Sequence, residues 1–117
     1  MSREFWSPLG SEEVFMTKWA DFVIPKVKYN RDHTQIVEVE TRADSGDAIS
    51  ASPQRVLRQE VVSAILRGTT FVTAYLRDGK WQKGEEVRVV TIHGERFIRT
   101  DSNSTKADNL GSLPEYV

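Results

Sequence analysis

Two periods of apolar and polar residues run along this chain, and the change from one to the other marks its elements. The run from Phe22 to Tyr29, Phe-Val-Ile-Pro-Lys-Val-Lys-Tyr, reads as a strand. Pro25 has no amide proton to give a ladder, so this strand is expected at a sheet edge or with a bulge. Asn30-Arg31-Asp32 supplies turn residues, and Gln35 to Thr41 then alternates with period two. That alternation puts Val37 and Val39 on one face and Glu38 and Glu40 on the other, and it predicts a hairpin. Asp44-Ser45-Gly46-Asp47 is a second turn.

The period then lengthens. Val56, Leu57, Val61, Ala64 and Ile65 recur at spacings of one, three and four, which predicts a helix over residues 53–67. Ser52 is placed to cap it, Pro53 suits its first position and Gly68 its end. Thr70 to Leu76 returns to strand composition, Asp78-Gly79 is a tight hairpin turn, and Lys80-Trp81 begins the return. Gly84 marks a bend. Glu86 to Ile92 and Glu95 to Thr100 are strands joined by His93-Gly94.

Two strands, one helix and about four strands predict an α+β domain. Its expected form is a small curled antiparallel sheet, or a barrel-like β domain, with the helix plugging one side. The domain is expected over residues 19–117 and ends in a polar latch loop. Residues 1–18 show no period, are broken by Pro8 and Gly10, and read as an N-terminal arm. Ser11 would cap one helical turn there, near Phe15. Phe5, Trp6, Phe15 and Trp19 are expected to pack on the domain or on a partner.

Composition narrows the function. A chain of 117 residues closes one core and not two. A net charge of -1 argues against a strongly basic nucleic-acid binder. The charge is uneven, however: residues 1–50 hold 6 basic and 9 acidic side chains, residues 51–100 hold 9 and 5. The mildly basic middle is either a solvated surface or an anion-binding face. The absence of cysteine excludes a disulfide scaffold, a thiol nucleophile and a cysteine zinc site, and favours a reducing compartment. With no apolar run of membrane length and no signal-like start at Met1–Trp6, the protein is expected in the cytoplasm. No cofactor motif is present: there is no G-x-S-x-G, glycine-rich phosphate loop or H-E-x-x-H.

The sharpest local expectation comes from the His93-Gly94 turn. A two-residue loop there sets Arg88 opposite Arg99, and like charges directly opposed in a sheet repel. Two things can answer them: an internal carboxylate from Asp101 or Asp108, which structural ion pairs favour, or a bound anion such as a phosphate. Asp101-x-Asn103-x-Thr105 looks like the start of a calcium loop, but Lys106 stands where the glycine belongs and Ser112 where the bidentate glutamate belongs. No metal site is expected. His33 and His93 both read as turn residues. Trp81, Tyr75, Phe71 and Phe97 with Arg77, Lys80 and Lys83 make either a nucleic-acid face with Trp81 stacking, or ordinary core and a Trp81–Leu76 cross-strand pair.

In the C-terminal half the motifs are longer. Gly79-Lys80-Trp81-x-Lys83-Gly84-Glu85-Glu86-Val87 is followed by Phe97-Ile98-Arg99-Thr100-Asp101. Then comes Thr105-Lys106-Ala107-Asp108-Asn109-Leu110-Gly111-x-Leu113-Pro114. From about Trp19 to Tyr116 the chain resembles a bacterial family of proteins of unknown function, number 3892. The resemblance implies a small bacterial domain, and its signature falls on Arg99, Asp101, Thr105, Lys106, Asp108 and Asn109. These residues are candidates for ligand or anion binding together with Arg88. Their structural alternative is a latch in which Leu110, Leu113 and Tyr116 pack back on the core.

Three functions remain open at this point. One is a non-enzymatic binding module for a protein partner or a second copy, touching it through the Pro25 strand and the arm. Another is a nucleic-acid or nucleotide-phosphate binder using Arg88, Arg99 and Lys106. The third is a small hydrolase built on Asp101, Asp108 or His93.

Overall fold

The computed structural model describes residues 18–101 and 107–116. The described elements are β1 (Phe22–Tyr29), β2 (Ile36–Ala43), β3 (Gln54–Leu57), α1 (Arg58–Leu66), β4 (Phe71–Arg77), β5 (Lys80–Glu86), β6 (Arg88–Ile92) and β7 (Glu95–Arg99). Five strands form one sheet in the order β3-β2-β1-β4-β5, and β6 and β7 form a separate ribbon.

The α+β expectation holds, and the barrel does not: the sheet is open, with β3 and β5 at its edges. Nor is it wholly antiparallel. Phe22–Ile24 of β1 run parallel to Phe71–Thr73 of β4. The crossover through β3 and α1 brings the chain back so that β4 enters from the same end as β1.

The expected helix is shorter than its apolar spacing suggests. Gln54–Leu57 pair with Glu38–Thr41 as a third strand. Over four residues the two periods cannot be told apart, and the open edge of β2 offers ladder partners to an extended chain. The cap therefore moves from Ser52 to Leu57, whose N–H donates to the Glu60 carboxylate at 3.3 Å. The far end is as expected. Gly68 has φ +103°, its N–H donates to Ile65 O at 3.0 Å, and Thr69 N–H donates to Ala64 O at 2.9 Å. This closes a Schellman motif.

Pro25 lies in the central strand, not at an edge, and the expected bulge accommodates it. The β1–β2 register shifts between Val23 and Lys26. Here β1 also changes neighbours: β4 pairs only through Ile24, and from Val27 the C-terminal tail takes its place. The bulge lets Ile24 and Val27, three residues apart, face the same core, while Val23 faces the other side. A second shift falls opposite Val37, so Val37 is the extra residue of that bulge and is exposed while Val39 is buried.

Both faces of the sheet centre are covered. On one, α1 and the ribbon supply Val61, Val62 and Ile98 to a core with Ile24, Val27, Val39, Phe71 and Leu110. On the other, Ala20, Val23, Val72 and Ala74 gather under Trp19, Ile49 and Trp81. Asp44, itself buried, pins that side by accepting the Trp19 N–H at 2.7 Å. No helix among the described residues is long and apolar enough to cross a membrane.

Candidate functional site

The family signature folds around one buried carboxylate. Asp108 Oδ2 accepts the Ile36 N–H at 2.8 Å and Arg58 Nε at 2.7 Å. Its Oδ1 accepts the Ile98 N–H at 2.8 Å and Arg58 Nη2 at 3.1 Å. One side chain thus joins β2, β7 and α1, with all its acceptor directions filled. Arg58 also donates to Arg96 O. Asn109 extends the ribbon: its N–H donates to Ile98 O at 2.9 Å, its O accepts Thr100 N–H at 3.0 Å, and its side chain accepts Gly111 N–H at 2.8 Å.

The predicted opposition of Arg88 and Arg99 is present. His93 and Gly94 both have positive φ, +52° and +82°, as a two-residue type I′ turn requires. The two arginines meet different surroundings. Arg99 is buried, and its Nε and Nη2 donate to Asp101 at 2.7 and 3.2 Å while Nη1 donates to Ala107 O at 2.5 Å. Arg88 is exposed. The charge is therefore answered by an internal carboxylate, Asp101, while Asp108 serves Arg58.

Beside this cluster is a cavity of about 380 Å³ lined by Tyr29, His33, Arg99, Asp101 and Asn109. His33 stacks on Tyr29 at 4.0 Å between ring centroids, and its Nε2 lies 2.7 Å from Glu115 Oε2. The tail behind it is a latch. Val27 N–H donates to Pro114 O and Tyr116 N–H to Val27 O, both at 3.0 Å. The Tyr116 hydroxyl donates to Glu38 at 3.3 Å and its ring lies under Arg55. Desolvation, and then the nearby Glu38 carboxylate, push the Tyr116 phenol up to about 12.

The structure thus brings Arg99, Asp101, Asp108 and Asn109 together, with Arg88 across the ribbon. Thr105 and Lys106 lie outside the described residues, as does the arm up to residue 17. His93 sits at the hairpin tip, at the other end of β7 from Asp101. Trp81 pairs with Leu76 and packs on the second cluster, with the Arg42 guanidinium 5.6 Å above its ring. Phe71 and Phe97 are buried. The Arg58–Asp108 and His33–Glu115 contacts had no signal in the sequence, because the partners lie 50 or more residues apart.

Another concavity lies on a different part of the molecule. A groove of about 640 Å³ runs between α1 and the sheet. Its apolar lining is Phe22, Phe71, Val56, Leu57 and Ala64, and Phe22 and Phe71 stack at 5.5 Å between centroids. Thr41, Gln59, Glu60, Ser63 and Arg67 supply its polar lining. The groove exists because β3 takes the first turn of the expected helix, leaving α1 only nine residues, about 13 Å, to cover the sheet.

The family model described as "Protein of unknown function (DUF3892)" matches residues 23–114, a span from β1 through the tail. The chain belongs to this family. The DUF3892 match takes in the Asp108 hub, the Arg99–Asp101 pair and all of the groove lining but Phe22. No curated protein and no solved structure matches the chain.

Proposed function

We propose that this DUF3892 protein is a non-enzymatic interaction module that receives the apolar side chains of a protein partner in the groove between α1 and the sheet. The supporting observation is the groove's continuity with exposed apolar surface. Leu57, the last residue of β3 and part of the groove wall, is 52% exposed, and Leu66 at the end of α1 is 54% exposed. A small ligand fills a concavity and leaves its rim to water. A protein partner covers concavity and rim together, with anchors in the pocket and a polar surround.

The test is selection of peptides from a displayed library against the full chain, followed by titration of the winners. The expected peptides carry two or more large apolar residues. They lose about tenfold in affinity for a folded Ser63→Trp variant, whose indole occupies the groove. Peptides that bind wild type and variant alike would remove the groove from the function.

A further inference from the structure

The Asp78-Gly79 hairpin repeats the arrangement seen at the His93-Gly94 hairpin. Asp78 and Gly79 have φ +53° and +77°, and the tight turn sets Arg77 directly opposite Lys80. Two cations again share one face of an antiparallel pair, where like charges repel. Here no carboxylate among the described residues answers. Among the described residues neither Arg77, Lys80 nor Lys83 is in an ion pair, and Asp78, at the turn between the first two, makes none either.

The tip of the hairpin also extends past the β1 pairing, while Trp81 on its far face packs on the second cluster. Because β4 leaves β1 after Thr73, residues from Ala74 to Lys83 have strand partners only in each other. Tyr75, paired with Gln82, lies on the same face as Arg77 and Lys80 and is 45% exposed. Two strand positions separate it from Arg77, about 7 Å. Residues 75–83 hold three cations and one acid in a chain whose net charge is -1.

We infer that this face of the β4–β5 hairpin binds a single-stranded nucleic acid, with a phosphate between Arg77 and Lys80 and a base stacked on Tyr75. The phosphate supplies the charge that the fold withholds, and the guanidinium and ammonium supply charge-assisted donors to its oxygens. An exposed phenol ring beside the cations accepts any base, so the site is sequence-tolerant. Lys83 reaches a neighbouring phosphate from the hairpin's other face. The groove is a separate site, so either assignment can fail without the other.

Fluorescence anisotropy of labelled oligo(dT) and oligo(rU), about 12 nucleotides long, tests it on the full chain. Binding is expected at about 20 mM salt and should weaken at least tenfold by about 150 mM. Arg77→Ala/Lys80→Ala should reduce affinity about tenfold or more, and Tyr75→Leu about fivefold, each checked for an unchanged unfolding midpoint. Arg88→Ala, on the other hairpin, should stay within about twofold. No wild-type binding at low salt overturns the inference. So does a double variant that binds like wild type, or inorganic polyphosphate that binds as tightly as the oligonucleotides.

Discussion

The two tight hairpins of this protein start from one local arrangement and end in opposite states. Each turns on a residue pair with positive φ, and each thereby sets two cations across from one another. In the β6–β7 ribbon the chain that follows folds back, so Asp101 takes Arg99 while Asp108 fixes the ribbon to α1 and β2. In the β4–β5 hairpin no carboxylate of the described residues meets Arg77 or Lys80, and β4 has already parted from β1. The lesson is that a like-charge pair reports a missing counter-charge, and only its neighbours decide whether that charge is internal. In the first pair Arg99 is tied into the fold by Asp101; in the second, both cations are exposed.

The comparison breaks most readily at Asp108. Asp108→Ala strands two buried main-chain donors and the mostly buried Arg58 charge. It should cost about 3–5 kcal/mol, read from the urea midpoint at unchanged slope. Asp108→Asn, which keeps an acceptor, should cost less. A loss for Asp108→Ala below about 1 kcal/mol would mean that the hub is not what joins ribbon, helix and sheet.

Arg99→Leu should cost less than Asp108→Ala, about 1–3 kcal/mol, because the carboxylate it abandons, Asp101, is half exposed and can hydrate. Equal losses at the two sites would show that Arg99 and Asp108 act as one network. A double-mutant cycle would measure that coupling.

At the other hairpin the expected effect on stability is the smallest. Arg77→Ala should shift the unfolding free energy by no more than about 0.5 kcal/mol. Arg77→Glu should raise stability slightly, by about 0.2–1 kcal/mol, since it replaces a repulsive cross-strand pair with an attractive one. A loss above about 1 kcal/mol would place Arg77 in the structural class with Arg99.

Much of this was legible in residue order. His93-Gly94 and Asp78-Gly79 specify their turns through positive φ, and a two-residue turn fixes register, so the Arg88–Arg99 opposition could be read directly. The same reasoning applied to Asp78-Gly79 finds Arg77 opposite Lys80. Gly68 marked the helix end because glycine adopts the left-handed conformation without strain. Pro25 announced its bulge for want of an amide proton.

The start of α1, the parallel pairing of β1 with β4, the central place of β1 and the role of Asp108 were not legible. Each depends on what lies beside a segment rather than within it. Four residues at Gln54–Leu57 become a strand because β2 has an unpaired edge there. Arg58 reaches Asp108 across 50 positions of sequence. Turns, caps and bulges are decided by a few adjacent dihedrals and can be read from the residues that must adopt them. Strand order, the groove left by a short helix and the partner of each buried charge depend on solvent exclusion between distant segments, and only the packed chain decides them.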